Sequence, residues 1–500
     1  MKTTFSNRLF APANTGFARF AVERMSWEDE GGPKRARIRA SGPLDGLAHL
    51  AGFLRYGVEI SEDESGGLAW WGYVNAVEVH AGGVVYRVSL ENLWNRVAVR
   101  WRDENPLPGD SPAWQYQSAW ADDLPSQQVY GVKEQVFHLG ESRADQASAA
   151  AQTHLARLKK VTGESRAAGA GETAGEPYAL LECSGWWETL DWQFYAQDRG
   201  YTGNIQAGAG GLNQAFGQAA GSSQVEQRIT VMGSAGWTAR WFWARLYRVG
   251  AVADNLVAEL LTAPSSGVIA SQTVAGTSLS LDSAGWYLFD LGPVTVTPGA
   301  NYYFRLRRSG AVSAGAYYGC KVEENALLGA NQFYIWNGSA WTARSPSASL
   351  ILGVFGQDSL TAQITGMAGA AQFLTVAQVK TASGVTAKLF RSGKNRLKAE
   401  LLDLARSGSG AGKSLRLWVN AARQLVVEAR PDPEQVELKI TTRGEIRHIT
   451  GRRLAGEENP VGRFALVEGL ALMGGTAGAD AVVYVERAEW AGGVLRTGWS

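Results

Sequence analysis

Between Gln224 and Gly356 almost every apolar cluster is short and closes on turn residues. The pieces read RITVMG, ARWFWARLYRVG, SGVIASQTVAG, WYLFDLG, NYYFRLRRSG, SAGAYYGCKV, NQFYIWNG and SLILGVFG. Roughly eight to ten short strands at this spacing predict an all-β sandwich. The chain has 500 residues, too many for one hydrophobic core, so it divides into several domains. Four segments follow from the pattern changes: 1–105, 106–199, 200–357 and 358–500.

The first segment is strand-rich. Tyr73, Val77 and Val79 lead into Gly82-Gly83, and Val85, Tyr86 and Val88 follow, which is a hairpin with a Gly-Gly turn. A short helix is expected over 44–54 and a strand over 96–101. The second segment mixes types. YGVKEQVFHLG reads as a strand, Ser142 can cap the Ala-rich helix that follows, SRAAGAGETAGEP as an exposed loop, and YALLECSGWWETLDWQFY as strand. From Gly200 to Ser223 a Gly-, Ala- and Gln-rich stretch reads as a surface connection into the sandwich. In the fourth segment Leu397, Leu401 and Leu404 stand at helical spacing. Leu415, Leu417 and Val419, then Leu425 and Val427, alternate as a β-hairpin.

The link between that helix and hairpin, SGSGAGKS (407–414), ends as a phosphate-binding loop ends. Such a loop needs Gly five residues before its Gly-Lys-Ser, and Ser407 stands there. It also runs from strand to helix, so that the helix N-terminus meets the phosphates, and here the order is reversed. The stretch is read as a helix-to-strand joint with a glycine cap. Lys413→Ala is expected to leave ATP-analogue binding and assembly as in the parent, read by fluorescence titration and particle imaging.

Other chemistry is thinly represented. The net charge of +1 gives no overall case for nucleic acid or anionic membrane. Cys183 and Cys320 read as two buried free thiols in separate domains. The five histidines have no metal-ligand spacing and no HExxH or CxxC occurs, so neither metal nor cofactor is expected. Gly-x-Ser-x-Gly is absent. Glu188 with Asp191, or Asp282 with Asp290, are the carboxylate pairs on offer for glycoside hydrolysis, without a spacing that argues for it. Asp282 reads as a turn residue and Asp290 as a strand end. The chain is therefore read as a non-enzyme. The N-terminus carries no apolar signal core, and no run of about 18 apolar residues occurs, so no membrane span is expected. The short basic runs KRARIR (34–39), RLRR (305–308) and RHITGRR (447–453) read as solvated strand faces.

Nineteen tryptophans need an explanation. In the sandwich segment Trp286, Tyr287, Tyr317, Tyr318, Trp336 and Trp341 all lie beside turn residues, where rings can stand at a loop rim; Trp336 and Trp341 flank Asn337-Gly338, read as a type I′ turn. Flat rings pack against the C–H faces of sugars, and they also fill cores. Trp241 and Trp243 alternate with Phe242, so one face of that strand must be core. Outside the sandwich, Trp70-Trp71 and Trp186-Trp187 are adjacent pairs. On a strand such a pair covers both sheet faces, one for the core and one for a subunit contact.

Several phrases together resemble tail hub and baseplate (distal tail) proteins of tailed bacteriophages. They are WWGYVNAVEV (70–79), VYRVSLENLWNRVAVRW (85–101), YGVKEQVFHLG (130–140), SGWWETLDWQFY (184–195) and residues 373–431. The segment between them is similar in pattern to a jelly-roll carbohydrate-binding module, on GWYLFDLGPVTVTPGANYYFRLRR (285–308), AYYG (316–319) and FYIWNGSAWT (333–342). The resemblance implies a mainly β, multi-domain chain with minor α. It would hold split-β-barrel hub-like domains and an inserted β-sandwich. It further implies a virion protein of the tail tip, assembled as a ring, a trimer for hubs and a hexamer for distal tail proteins. Its neighbours would be tail tube, tape measure and fibre or spike proteins, with DNA only passing the channel and the inserted module meeting host-surface glycan. A carbohydrate-active enzyme with an accessory module is the alternative from another class.

Overall fold

The computed structural model describes residues 1–62, 67–103, 116–169, 175–196, 200–201, 211–233, 236–323, 333–379, 385–389, 392–408, 414–430 and six C-terminal stretches between 438 and 499. The molecule is mainly β and multi-domain, as expected. Among the described residues its sheets are open and none closes into a barrel, so the split-barrel geometry that the resemblance implies is not seen.

The largest sheet runs in the order Lys2–Ser6, Gly57–Ser61, Leu68–Ala81, Tyr178–Ser184, Gly32–Ser41, Arg19–Glu28 and Ala481–Ala491. Its alternation is plain in Gly32–Ser41, where Ala36, Ile38 and Ala40 are buried and the arginines between them face outward. Gly82 and Gly83 both hold positive φ, 57° and 82°, as a two-residue type I′ turn requires. The strand from the far end of the chain pairs with Arg19–Glu28, so the sheet is built from both ends.

One core lies against this sheet and draws on distant parts of the chain. Trp70, Tyr73, Phe53 and Trp187 are among its largest wholly buried side chains. Helix Leu360–Gly369 contributes Ile364 and Met367. Helix Leu397–Ala405 contributes Leu397, Leu401 and Leu404, the three leucines expected at helical spacing. It ends where the sequence placed its end: Ser407 and Gly408 donate to the carbonyls of Leu404 and Ala405, and Gly408 takes φ 77°. The expected hairpin follows as Leu415–Val419 and Gln424–Ala429, with Leu417 opposite Val427 and Val419 opposite Leu425; residues 409–413, with Lys413, lie outside the described residues. Segments 1–105 and 358–500 thus share one interior.

The turn at Asp29–Gly31 gathers these parts. The Asp29 carboxylate is buried and pairs with Arg416 at 2.9 Å and Arg430 at 2.8 Å, while the Tyr484 hydroxyl donates to it at 2.9 Å. Gly31 N–H donates to the Leu417 carbonyl and Val419 N–H to the Gly31 carbonyl. Gly31 sits at φ 98°, and a Cβ there would lie 2.3 Å from the Trp187 ring. A smaller unit packs beside this core. Strand Arg96–Asp103 runs parallel to Glu134–Ser142, and helix Ala144–Leu158 covers them with Ala147, Ala151 and Leu155. Ser142 precedes that helix and its hydroxyl donates to Gln146 at 3.1 Å.

The sandwich has its own core. One sheet orders Ser266–Ala275, Asn255–Ala263, Asn301–Arg308, Gln224–Met232, Phe333–Trp336 and Trp341–Ala343. The other orders Leu212–Phe216, Tyr317–Glu323, Trp237–Val249, Leu352–Ser359 and Thr386–Leu389, with Gly285–Val296 also paired to Trp237–Val249. Phe242 and Phe304 stack between them at 5.2 Å, beside Phe289 and Leu260. At its root the outgoing strand Phe194–Ala196 pairs with the returning strand Ser392–Arg396. Glu134 accepts from the Phe194 N–H at 2.6 Å, and the Arg396 guanidinium lies 4.1 Å from the Phe194 ring.

Several expectations are corrected. Residues Trp186–Trp192 form a 3₁₀ helix, not a strand, and the tight turn carries Trp186, Trp187, Leu190 and Trp192 all into the core. Leu124–Tyr130 is helical, capped by Asp123, so the next strand starts only at Glu134. Leu212–Phe216 is a strand of the sandwich, not a connection, since Phe216 fills its core. Cys183 and Cys320 are free and buried. Among the described residues no helix is long and apolar enough to cross a membrane.

Asp29→Asn is expected to cost about 3 kcal/mol by leaving Arg416 and Arg430 without their carboxylate. In hydrogen exchange, residues 32–41 and 415–429 should lose protection together while residues 225–261 keep theirs.

Candidate saccharide-binding face

The two outer faces of the sandwich differ in kind. On the first sheet Glu259 pairs with Arg305 at 2.7 Å and Arg307 at 2.9 Å, and Arg308 pairs with Asp254 at 2.8 Å. The RLRR run is therefore spent on internal ion pairs. Glu226, 1% exposed, accepts from the Ser265 N–H at 3.3 Å, and its other oxygen has no partner. Burial pushes this carboxyl up to about 7, against the lowering effects of the Ser265 N–H and of Arg305.

The second sheet turns rings outward. Along Trp237–Val249, Phe242, Ala244 and Leu246 point into the core. Their alternates Trp241, Trp243 and Arg245 therefore face out, which decides the face that the Trp-Phe-Trp alternation left open. Register places Leu288 opposite Trp243, Trp286 opposite Arg245 and Asp290 opposite Trp241. Trp286 is 39% exposed. Its ring centroid lies 6.2 Å from that of Trp243, which meets Phe355 edge-on at 5.3 Å. The Arg245 guanidinium lies 5.9 Å from the Trp286 ring. At the other end of the strip Arg240 grips Asp290 through three contacts of 2.9 to 3.2 Å and donates to Gln357 at 3.0 Å. The hydrogen bond from Arg240 holds Asp290 below the usual carboxylate range. The face therefore offers apolar ring surface flanked by a charged, solvent-facing hydrogen-bonding group, the two things a sugar needs.

The residues expected from sequence fall in four places. Trp286 lies on this face. Tyr287 points the other way, half-buried, with its hydroxyl bonded to the Ser280 backbone N–H and, at 3.0 Å, to the Ser280 hydroxyl. Tyr317 is half-buried near the far end of the same sheet, whereas Tyr318 is wholly buried and donates to the Asp254 carbonyl at 2.7 Å. Tyr318 is core, not a ligand contact, because it faces inward from its strand. Trp336 and Trp341 form a T-shaped pair at 5.6 Å on the other sheet's edge, and Trp341 bonds the Ser265 hydroxyl. Their turn spans four residues with Asn337 Oδ1 accepting from the Ser339 and Ala340 N–H groups, not the two-residue type I′ turn expected. Trp243 entered only through the Trp-Phe-Trp alternation. Phe355, Leu288 and Arg240 were not singled out, and Phe355 belongs to a strand buried on both faces.

The proposed interface pairs are also corrected. Trp70, Trp186 and Trp187 are buried within the chain's own core. Trp71 is half-buried and donates its indole N–H to the Val419 carbonyl at 3.0 Å. The first three rings have no face left for another subunit. Glu188 and Asp191 both bind Lys398 at 3.0 Å, and Lys34 adds a third contact to Glu188 at 2.9 Å; Lys398 and Lys34 hold Glu188 below the usual range although burial, the largest effect on it, works the other way. Asp282 is a turn residue with φ 53°. Arg37 and Arg39 in the KRARIR run approach Glu23, and RHITGRR lies largely outside the described residues.

No family model matches the chain, and no curated protein matches it. Among solved structures the mosquito-larvicidal Cry4Aa toxin from Bacillus thuringiensis aligns with 60% of this chain and 51% of its own, at 8% identity and a TM-score of 0.16. The alignment thus spans about half of the toxin chain, and at that score it carries no argument about fold or function.

Glu226 yields a pH test. Its folded pKa of about 7 lies above its ordinary 4.5, so its stabilising contribution is fully present below pH 4.5 and lost as pH rises through about 7. Glu226→Gln should therefore melt a few degrees above the parent at pH 8, and the gap should close at pH 5, in scanning calorimetry.

Proposed function

We propose that the chain is a structural component of a phage tail tip or baseplate whose inserted sandwich binds host-surface saccharide during adsorption. The observation that carries the saccharide half is the outward pair Trp286 and Trp243, backed by the buried Phe355, beside Arg240 and Asp290, on a face that among the described residues has no ion-pair lattice such as the opposite sheet has. The insertion supports the division of labour. The sandwich keeps a core of its own, joined to the body at Phe194–Ala196 with Ser392–Arg396 and where Leu352–Ser359 runs into helix Leu360–Gly369, so a binding module can vary while the body keeps its packing. The assembly half rests on the resemblance of the flanking segments to tail hub proteins, which makes a ring of identical subunits the expected form, with several weak sugar contacts adding through avidity. Contacts between subunits would then fall on surfaces other than Trp70, Trp186 and Trp187.

The test uses the whole chain. Negative-stain images should show rings, and scattered monomers at high concentration would remove the assembly half. On a glycan array Trp286→Ala should lose at least tenfold in apparent affinity for whatever the parent binds, with its melting temperature unchanged. Equal binding by parent and variant would take the saccharide role away from this face.

A further inference from the structure

The backbone is strained at few places, and they converge. Among the described residues five that are not glycine hold positive φ: Phe10, Arg55, Ser265, Asp282 and Arg423. Three of them, Phe10 (62°), Arg55 (65°) and Arg423 (58°), meet at one site on the main body, far apart in sequence. Non-glycine residues in this conformation are uncommon, and they collect where the surrounding structure holds a binding element in place. The Arg423 guanidinium carbon sits 3.4 Å from the Phe10 ring centroid and 5.8 Å from that of Trp186. The Arg55 guanidinium lies 6.0 Å from the same Phe10 ring.

The charge here is one-sided. Arg55 is only 5% exposed and donates to the carbonyls of Val129 at 3.2 Å and Arg8 at 2.6 Å. Arg8 donates to the carbonyls of Leu54 at 3.0 Å and Gly52 at 2.7 Å. The Gly52, Leu54 and Val129 carbonyls lie at or beside helix C-termini, which offset part of a positive charge. Among the described residues none of the three arginines has a carboxylate within ion-pair distance. Burial, then Arg8 and Arg423, lowers Arg55 to about 10, as expected where positive potential accumulates. Among the described residues Arg423 makes no hydrogen bond through its side chain, and its contacts are with the Phe10 and Trp186 rings. A latch between the hairpin tip and the N-terminal loop accounts for the stacking, but it leaves five N–H donors unused.

Those donors border a cleft of about 510 Å³. Its floor is one face of the strands Lys2–Ser6 and Gly57–Ser61, presenting Thr4, Ser6 and Glu59, and its walls include Phe10, Trp71 and Arg423. Gly57 keeps the floor open, since a Cβ there would lie 2.3 Å from the Ser6 hydroxyl. The Glu59 carboxylate is likewise without a partner among the described residues. The lining thus combines a fork of N–H donors for a carboxylate, an acceptor and two hydroxyls for sugar hydroxyls, and flat rings for a C–H face.

We infer that the cleft bounded by Phe10, Trp71, Glu59 and Arg423 binds an acidic sugar, with Arg423 taking the carboxylate and Glu59 accepting from ring hydroxyls. The site lies on the main body and does not rest on the sandwich face or on assembly. Isothermal titration of the full-length protein with digalacturonate, against a neutral disaccharide, acetate and an Asp-rich peptide, tests it. Digalacturonate should bind at least tenfold more tightly than the other three. Arg423→Ala should abolish that margin, and Glu59→Ala should weaken binding several-fold. Arg423→Lys, which keeps charge and stacking but not the fork, should also lose most of the margin, and it decides the matter if the alanine variant shows an altered circular dichroism spectrum. Undiminished digalacturonate binding in the folded Arg423 variants, or equal binding of the neutral disaccharide, overturns the proposal. Equal binding of acetate or the peptide overturns the sugar class.

Discussion

The buried carboxylate of Asp29 is the constraint from which the architecture follows. Two arginines from the late hairpin and a tyrosine from the last long strand converge on it, two residues before Gly31 exchanges hydrogen bonds with the same hairpin. A buried acid so placed is tolerable only while its cations are present, and the cations only while the acid is. The N-terminal sheet and the C-terminal third therefore stand or fall as a unit. The chain must come back to the point it left, and the return explains why the outgoing and incoming strands at the root of the sandwich are hydrogen-bonded neighbours.

That arrangement separates two kinds of surface. In the body, tryptophan serves packing: Trp70 and Trp187 are wholly enclosed, and Trp187 fits because Gly31 lacks a Cβ. In the sandwich, phenylalanines fill the interior together with Trp237, while other tryptophans are turned out. Phe242, Phe289 and Phe304 are wholly buried, while Trp243 and Trp286 stand on the outer face. The opposite outer face is laced by Glu259 with Arg305 and Arg307, so a ring surface is concentrated on one side only. The functional reading grows from that asymmetry, not from the number of aromatic residues.

The amino-acid sequence by itself determined the elements whose signal is local. The Gly82-Gly83 hairpin, the helix bearing Leu397, Leu401 and Leu404 with its glycine stop, and the strand rhythm of the sandwich all follow from spacing and turn chemistry, because backbone geometry alone sets those periods. The same local reasoning set aside SGSGAGKS as a phosphate loop, since its flanks run from helix to strand. It misjudged Trp186-Trp187, where a 3₁₀ turn buries both rings, and Tyr318, whose neighbour Tyr317 looks the same in sequence. Only the tertiary structure decided which face of each strand is covered, because burial depends on partners hundreds of residues away. It alone brought Phe10, Glu59 and Arg423 around one cleft, and it alone paired Glu188 and Asp191 with Lys398, turning a candidate for catalysis into a structural ion cluster.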